Sequence, residues 1–157
     1  MKKHTISVLV ENQFGVLARV AGLFSSRAYN INSLTVGETE NPDVSRMTIV
    51  VTGDKAILEQ VTKQLNKLID IIKVIDITDE DYIDRELVLI RLDCNKSSRS
   101  ELIEAVDVFK GRIVGISKNS ITAEVSGDTG KIKAFVEFVR PHGIKEMVRS
   151  GKIAMAR

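Results

Sequence analysis

The strongest constraint on the fold is the order in which the apolar residues change period along the chain. In "TISVLV", residues 5–10, Ile6, Val8 and Val10 alternate, which places them on one face of a strand. From Gly15 the period lengthens. Val16, Leu17, Val20, Ala21 and Phe24 recur at the spacing of one face of a helix of about three turns, expected to end near Tyr29–Asn30. "INSLTVG" then alternates Leu34 and Val36 with polar residues, "SRMTIVVTG" puts Met47, Ile49 and Val51 on one face, and the intervening "ETENPDV" with Pro42 reads as a hairpin loop. Asp54 can cap a second amphipathic helix carrying Ile57, Leu58, Val61, Leu65 and Leu68, and "IIKVIDI" closes the unit as a strand. Strand, helix, strand, strand, helix, strand is the split βαβ or ferredoxin-like order. Its two helices cover one face of an antiparallel sheet. The other face must be polar or take a partner, and oligomerisation is expected there.

The same order recurs beyond "TDEDYIDRE", residues 78–86, an acidic stretch without periodicity that reads as an exposed linker. "LVLIRLDC" is a strand, Ser98 with Glu101 offers a capping box, and Leu102, Ile103, Val106 and Phe109 mark a helix. "RIVGIS" and "SITAEVSG" flank a hairpin turn at Lys118–Asn119. Thr129 can cap a last helix with Ile132, Phe135, Val136 and Val139, and "GIKEMVRSG" supplies the eighth strand. The expected architecture is α+β: two tandem ferredoxin-like (βαββαβ) domains, residues 1–78 and 79–157.

Composition narrows the function. At 28% charged residues and a net charge of +2, the chain has neither a disordered composition nor the footprint of a nucleic-acid binder. Its apolar runs fall short of the ~20 residues of a membrane span, and "MKKHTISVLVEN" meets an acid before a signal-like core develops, so a soluble, cytoplasmic chain is expected. The single cysteine, Cys94, allows no internal disulfide and reads as a small buried hydrophobe at the end of a strand. With only His4 and His142 besides, no metal site is expected and both histidines read as incidental. No residue set supplies a nucleophile with a positioned base, so no catalytic residues are assigned. RNA-binding sheets of this strand order display aromatics on their open face. Here Phe14 falls in a loop, Phe24, Phe109, Phe135 and Phe138 on helices, and Tyr29 and Tyr82 at helix-end and linker positions.

Ligand binding at the first loop is left. A strand ending at Glu11 that turns through Asn12 into a helix near Gly15 presents free backbone N–H groups and the positive end of the helix dipole, a setting suited to a carboxylate. A phosphate cradle is disfavoured, because Gly15 is the only glycine of the loop and no G-K-[ST] follows. Gly15 lets a small ligand approach the backbone, Val16 and Leu17 add apolar surface, and the Asn12 amide could meet an amino acid at its ammonium or its carboxylate. The bland alternative for Asn12 is a plain helix N-cap.

At this point "VENQFGVLARVAGLFSSRAYNINSLTV" and "SRMTIVVTGD" resemble the regulatory small subunit of acetolactate (acetohydroxyacid) synthase, whose first half is an ACT domain. The resemblance is dense over residues 4–77 and continues more loosely through "FKGRIVGIS", "SGDTGKIKAF" and "VRSGKIAMAR". It implies a non-catalytic chain without a cofactor of its own. Its partner would be the catalytic (large) subunit, where thiamine diphosphate, Mg and FAD belong. It further implies activation of that subunit, feedback inhibition by L-valine or another branched-chain amino acid, and a homodimer formed through the ACT domains. The effector would sit between two such domains, on Asn12, Gly15, Val16 and Leu17 of one subunit with Asn30 and Ile31 of the facing one. Two departures stand out: Phe14 where the family usually has Pro, and Ala28 where it has Gly. A free-standing amino-acid-sensing module acting on another enzyme or on transcription is the competing reading.

Overall fold

A computed structural model describes residues 2–27 and 29–157; Ala28 lies outside the described residues. The chain divides into two compact units, the first comprising the chain up to Ile83 together with Lys152–Arg157, the second Asp84–Gly151.

In the first unit the elements are β1 (Lys2–Glu11), α1 (Val16–Ser26), β2 (Asn30–Glu38), β3 (Val44–Gly53), α2 (Lys55–Leu65) and β4 (Ile71–Asp76). The strands form one antiparallel sheet in the order β2-β3-β1-β4. Register explains the core: Ile6 pairs with Ile49 and Val8 with Met47, so their side chains share one face, where they meet Val20 and Phe24 of α1 and Leu58 and Val61 of α2. Asp54 caps α2, its carboxylate accepting from the Ala56 N–H at 2.8 Å.

Helix α1 stops at Ser26, earlier than its periodicity suggests, because Tyr29 is recruited into the core. The Tyr29 ring stands edge-on to Phe24 with centroids 6.5 Å apart, and its hydroxyl donates to Asp54 O at 2.6 Å. His4 is likewise no incidental residue: it is buried, with Nε2 3.2 Å from Gly53 O.

Burial first, and the nearby Asp54 carboxylate second, push the Tyr29 phenol above its ordinary value of 10.0. The folded state therefore resists ionisation that the unfolded chain accepts. The associated stability is intact below pH 10.0 and is lost as pH rises through the folded value. Denaturant titrations on either side of that pH should show an alkaline fall in stability that Tyr29→Phe flattens; an unchanged slope in the variant would assign the fall to other groups.

The sheet face turned away from α1 and α2 is polar. Ser33, Val50 and Thr5 form one cross-strand row and Thr35, Thr48 and Ser7 the next. Several of these are buried, Thr5, Ser7 and Thr48 among them. On this face Lys152 of the same chain bonds Ser33, Thr35 and Thr5.

The second unit repeats the order with β5 (Tyr82–Asp93), α3 (Lys96–Val108), β6 (Arg112–Ile116), β7 (Ser120–Gly127), α4 (Thr129–Val139), a short 3-10 turn at Arg140–His142 and β8 (Ile144–Arg149). The strand order β6-β7-β5-β8 is that of the first unit. Val88, Ile90 and Leu92 pack with Ile121, Ala123 and Val125 beneath α3 and α4, with Cys94 buried among them. The fold is thus α+β, two tandem ferredoxin-like repeats. Among the described residues no helix is long and apolar enough to cross a membrane.

Three local expectations need correction. The acidic segment 78–86 is not all linker, since β5 begins at Tyr82. Its acids are engaged: Asp84 accepts from the Thr129 N–H and Oγ1 at 3.1 and 2.7 Å, and Glu86 pairs with Arg149 at 3.2 Å. Helix α3 starts three residues earlier than the Ser98–Glu101 box implies, because Asn95 is the cap and Ser98 its reciprocal partner. Asp128, not Thr129, caps α4 through the Lys131 N–H at 2.8 Å. An Asx side chain stands upstream in both cases, and its side-chain oxygen accepts directly from the first-turn N–H groups.

Candidate functional site

The turn between β1 and α1 is built by three backbone commitments. Glu11 N–H donates to Asp70 O at 2.8 Å, Asn12 N–H to Asp43 O at 2.8 Å, and Arg19 N–H closes the first helical turn on Gly15 O at 3.0 Å. Gly15 itself is the helix N-cap, with φ 81° in the left-handed region, where a side chain would be strained. Among the described residues no side chain caps α1. The α-helices α2, α3 and α4 each have an Asp or Asn cap, whereas the first-turn donors of α1 are left open.

Asn12 is not the cap. Its exposed side chain turns to the β2–β3 hairpin, where Nδ2 donates to Pro42 O at 2.9 Å and reaches Glu38 Oε1 at 3.4 Å. Both amide hydrogens are thereby directed into the chain, and the side-chain carbonyl takes no bond among the described residues. The remaining capacity of Asn12 is that of an acceptor.

Sequence reasoning missed Arg19 and Asp70. The Arg19 guanidinium pairs with the carboxylate of Asp70, itself nearly buried just before β4. It also reaches back over the turn, so that a Cβ built on Gly15 would lie 3.0 Å from Nη1. The signal was present: Arg19 is four residues beyond Gly15, and helical side chains lean toward the N-terminus of their helix. The partner on β4 was not readable, because no local pattern ties residue 19 to residue 70.

The remaining candidates separate. The Val16 side chain points into the core and offers only its backbone, whereas Leu17 is exposed. Phe14 is 102% exposed. Asn30 and Ile31 open β2, and Ile31 packs against the core. Asn30 pairs with Thr52, which pairs with Lys3; Glu11, beside Asn12, pairs with Val44. Lys3 and Glu11 lie eight residues apart on β1, which at ~3.3 Å per residue is about 26 Å. Within one chain the two groups sit at opposite ends of the sheet, too far apart to grip one small molecule.

Both repeats match known family models, residues 6–73 that of the AHAS small subunit-like ACT domain and residues 85–157 that of the small subunit of acetolactate synthase. By class this is a tandem ferredoxin-like protein whose first repeat is an ACT domain. A probable acetolactate synthase small subunit of Archaeoglobus fulgidus is 57% identical over 155 residues, 99% of this chain and 97% of that protein. One from Methanothermobacter thermautotrophicus is 52% identical over 98% of this chain and 92% of its own length. The crystal structure of the acetolactate synthase small subunit from Thermotoga maritima, 36% identical, superposes with a TM-score of 0.87 over 100% of this chain and 98% of that one. The chain belongs to the acetolactate synthase small-subunit family.

Proposed function

We propose that this chain is the non-catalytic regulatory subunit of a cytoplasmic acetolactate synthase, activating the thiamine-diphosphate-dependent catalytic subunit and conferring feedback inhibition by valine. Family membership supports the partner. The observation that carries the effector site is the uncapped start of α1 at a left-handed glycine, beside an asparagine whose side-chain carbonyl takes no bond among the described residues.

The division of labour follows from donor and acceptor supply. A branched-chain amino acid places its carboxylate on the N–H groups of Val16 and Leu17, where the helix dipole favours negative charge. Its ammonium faces Asn12 Oδ1, with the Glu38 carboxylate close to the same side chain. Its aliphatic side chain meets Leu17. Because Asn30 and Ile31 stand at the far end of their own sheet, they reach this effector only from the second copy of a homodimer, which makes the site a product of dimerisation. Effector binding there orders two loops and shifts the balance of dimer arrangements, a coupling on the order of 1–3 kcal/mol that is reciprocal in binding.

The test is acetolactate formation by the cognate catalytic subunit, with and without this chain, titrated with valine, leucine and isoleucine. Activation on adding the chain, reversed by valine, is the expected result. Asn12→Ala should keep the activation and raise the valine concentration for half-inhibition by about tenfold or more, as expected when a charged group loses a partner worth ~1.5–3 kcal/mol. No activation defeats the assignment of the subunit, and unchanged inhibition in Asn12→Ala returns Asn12 to holding the hairpin.

A further inference from the structure

The chain leaves the first unit at Ile83 and returns to it at Lys152. What it does on returning is specific. The Lys152 N–H donates to Ser33 Oγ at 2.8 Å and its carbonyl accepts from Thr35 Oγ1 at 3.0 Å, so its backbone is bonded to β2 at both ends. Its ammonium crosses to β1, donating to Thr5 Oγ1 at 3.2 Å and to the Tyr82 hydroxyl at 2.9 Å, with Nζ 4.8 Å from the centroid of the Tyr82 ring. Beyond it Ala154 is buried, and Arg157 fixes the far end, its N–H on Asp81 O and Nε on Asp81 Oδ1, both at 3.0 Å.

These contacts have a common geometry. In the sheet order β2-β3-β1-β4, β3 lies between the two strands that Lys152 holds. The hydroxyls it uses, Thr5, Ser33 and Thr35, belong to the two polar rows on the face opposite the helices. We propose that residues 152–157 are a strap that clamps β1 to β2 across β3 and completes the first unit, and that release of this strap is the conformational freedom built into that unit. A hydroxyl-lined face holds a lysine backbone and ammonium by hydrogen bonds and a cation–π contact, bonds that water can replace, so the strap docks without the permanence of an apolar core. Of the clamped strands, β1 leads into the turn of Asn12 and Gly15, and β2 opens with Asn30 and Ile31. If the effector reading above holds, the strap and the effector act on the same pair of strands.

Native-state hydrogen exchange tests the strap without effector or catalytic partner, so its outcome stands apart from that of the valine assay. Two variants of the full chain serve: one with residues 152–157 replaced by a Gly/Ser sequence, and the milder Lys152→Met, which removes the ammonium and keeps the backbone. The expected result is exchange faster by about tenfold or more at the β1 and β2 amides in the first variant, a smaller acceleration at the same amides in the second, and unchanged exchange at the α3 and α4 amides. Wild-type exchange at β1 and β2 in the Gly/Ser variant overturns the proposal, as does an equal acceleration in every element of both units.

Discussion

Phe135→Ala should cost the second unit about 3–5 kcal/mol, whereas Phe138→Ala, three residues on in the same helix, should cost less than ~1 kcal/mol. Phe135 is wholly buried and meets Phe109 edge-on, with ring centroids 5.3 Å apart; Phe138 is half exposed and tilted over the same ring at 6.2 Å. Helix propensity changes equally at both positions, so the difference reports burial. A repeat of this size buries a modest fraction of its surface, and total stabilities are typically about 5–15 kcal/mol, so the Phe135 loss consumes much of what there is. Each kcal/mol moves the midpoint of a small domain by roughly 4–8 °C, giving a shift on the order of 20 °C for Phe135→Ala. Calorimetry would read it directly. Similar shifts for the two variants would mean that α4 is not packed as described.

The second large effect is expected at Gly53→Ala, at a residue with no side chain to lose. A Cβ there would lie 1.6 Å from Tyr29 Cε1 and 2.2 Å from Cδ1, inside a buried ring. Tyr29 must give way, forfeiting its edge contact with Phe24 and its bond to Asp54 O. Overpacking plus one lost buried hydrogen bond amount to roughly 2–4 kcal/mol. A double-mutant cycle isolates the cause: in a Tyr29→Ala background the alanine at 53 has no ring to meet, and its cost should fall to within about 0.5 kcal/mol of zero. A cost that persists would place the strain in the backbone at the end of β3.

The architecture was legible because period alone separates strand from helix. Ile6, Val8 and Val10 at period two, and Val16, Val20 and Phe24 at helical spacing, are where the structure has them. Helix ends were less legible, since Asn95 and Ser98, or Asp128 and Thr129, compete for one capping role and only geometry chooses. At the candidate site, Gly15 and the open helix start followed from local rules, and Asn12 belonged to the loop. Its hairpin partners did not follow, nor did Asp70 beneath Arg19, because each lies dozens of residues away. Lys152 is the extreme case: its bonds to Ser33 and Thr5 span 119 and 147 residues, and "RSGKIAMAR" carries no mark of that destination.

That separation also governs the order of assembly. On a ribosome, residues 152–157 emerge only after Asp84–Gly151, so the repeat that is made first is finished last. At roughly 5–20 residues per second, the nascent first repeat waits about 3–14 s with its hydroxyl rows bare while the second is synthesised and folds. A second-repeat variant that folds slowly would prolong that wait, and damage placed in one half of the chain would surface as incomplete maturation of the other.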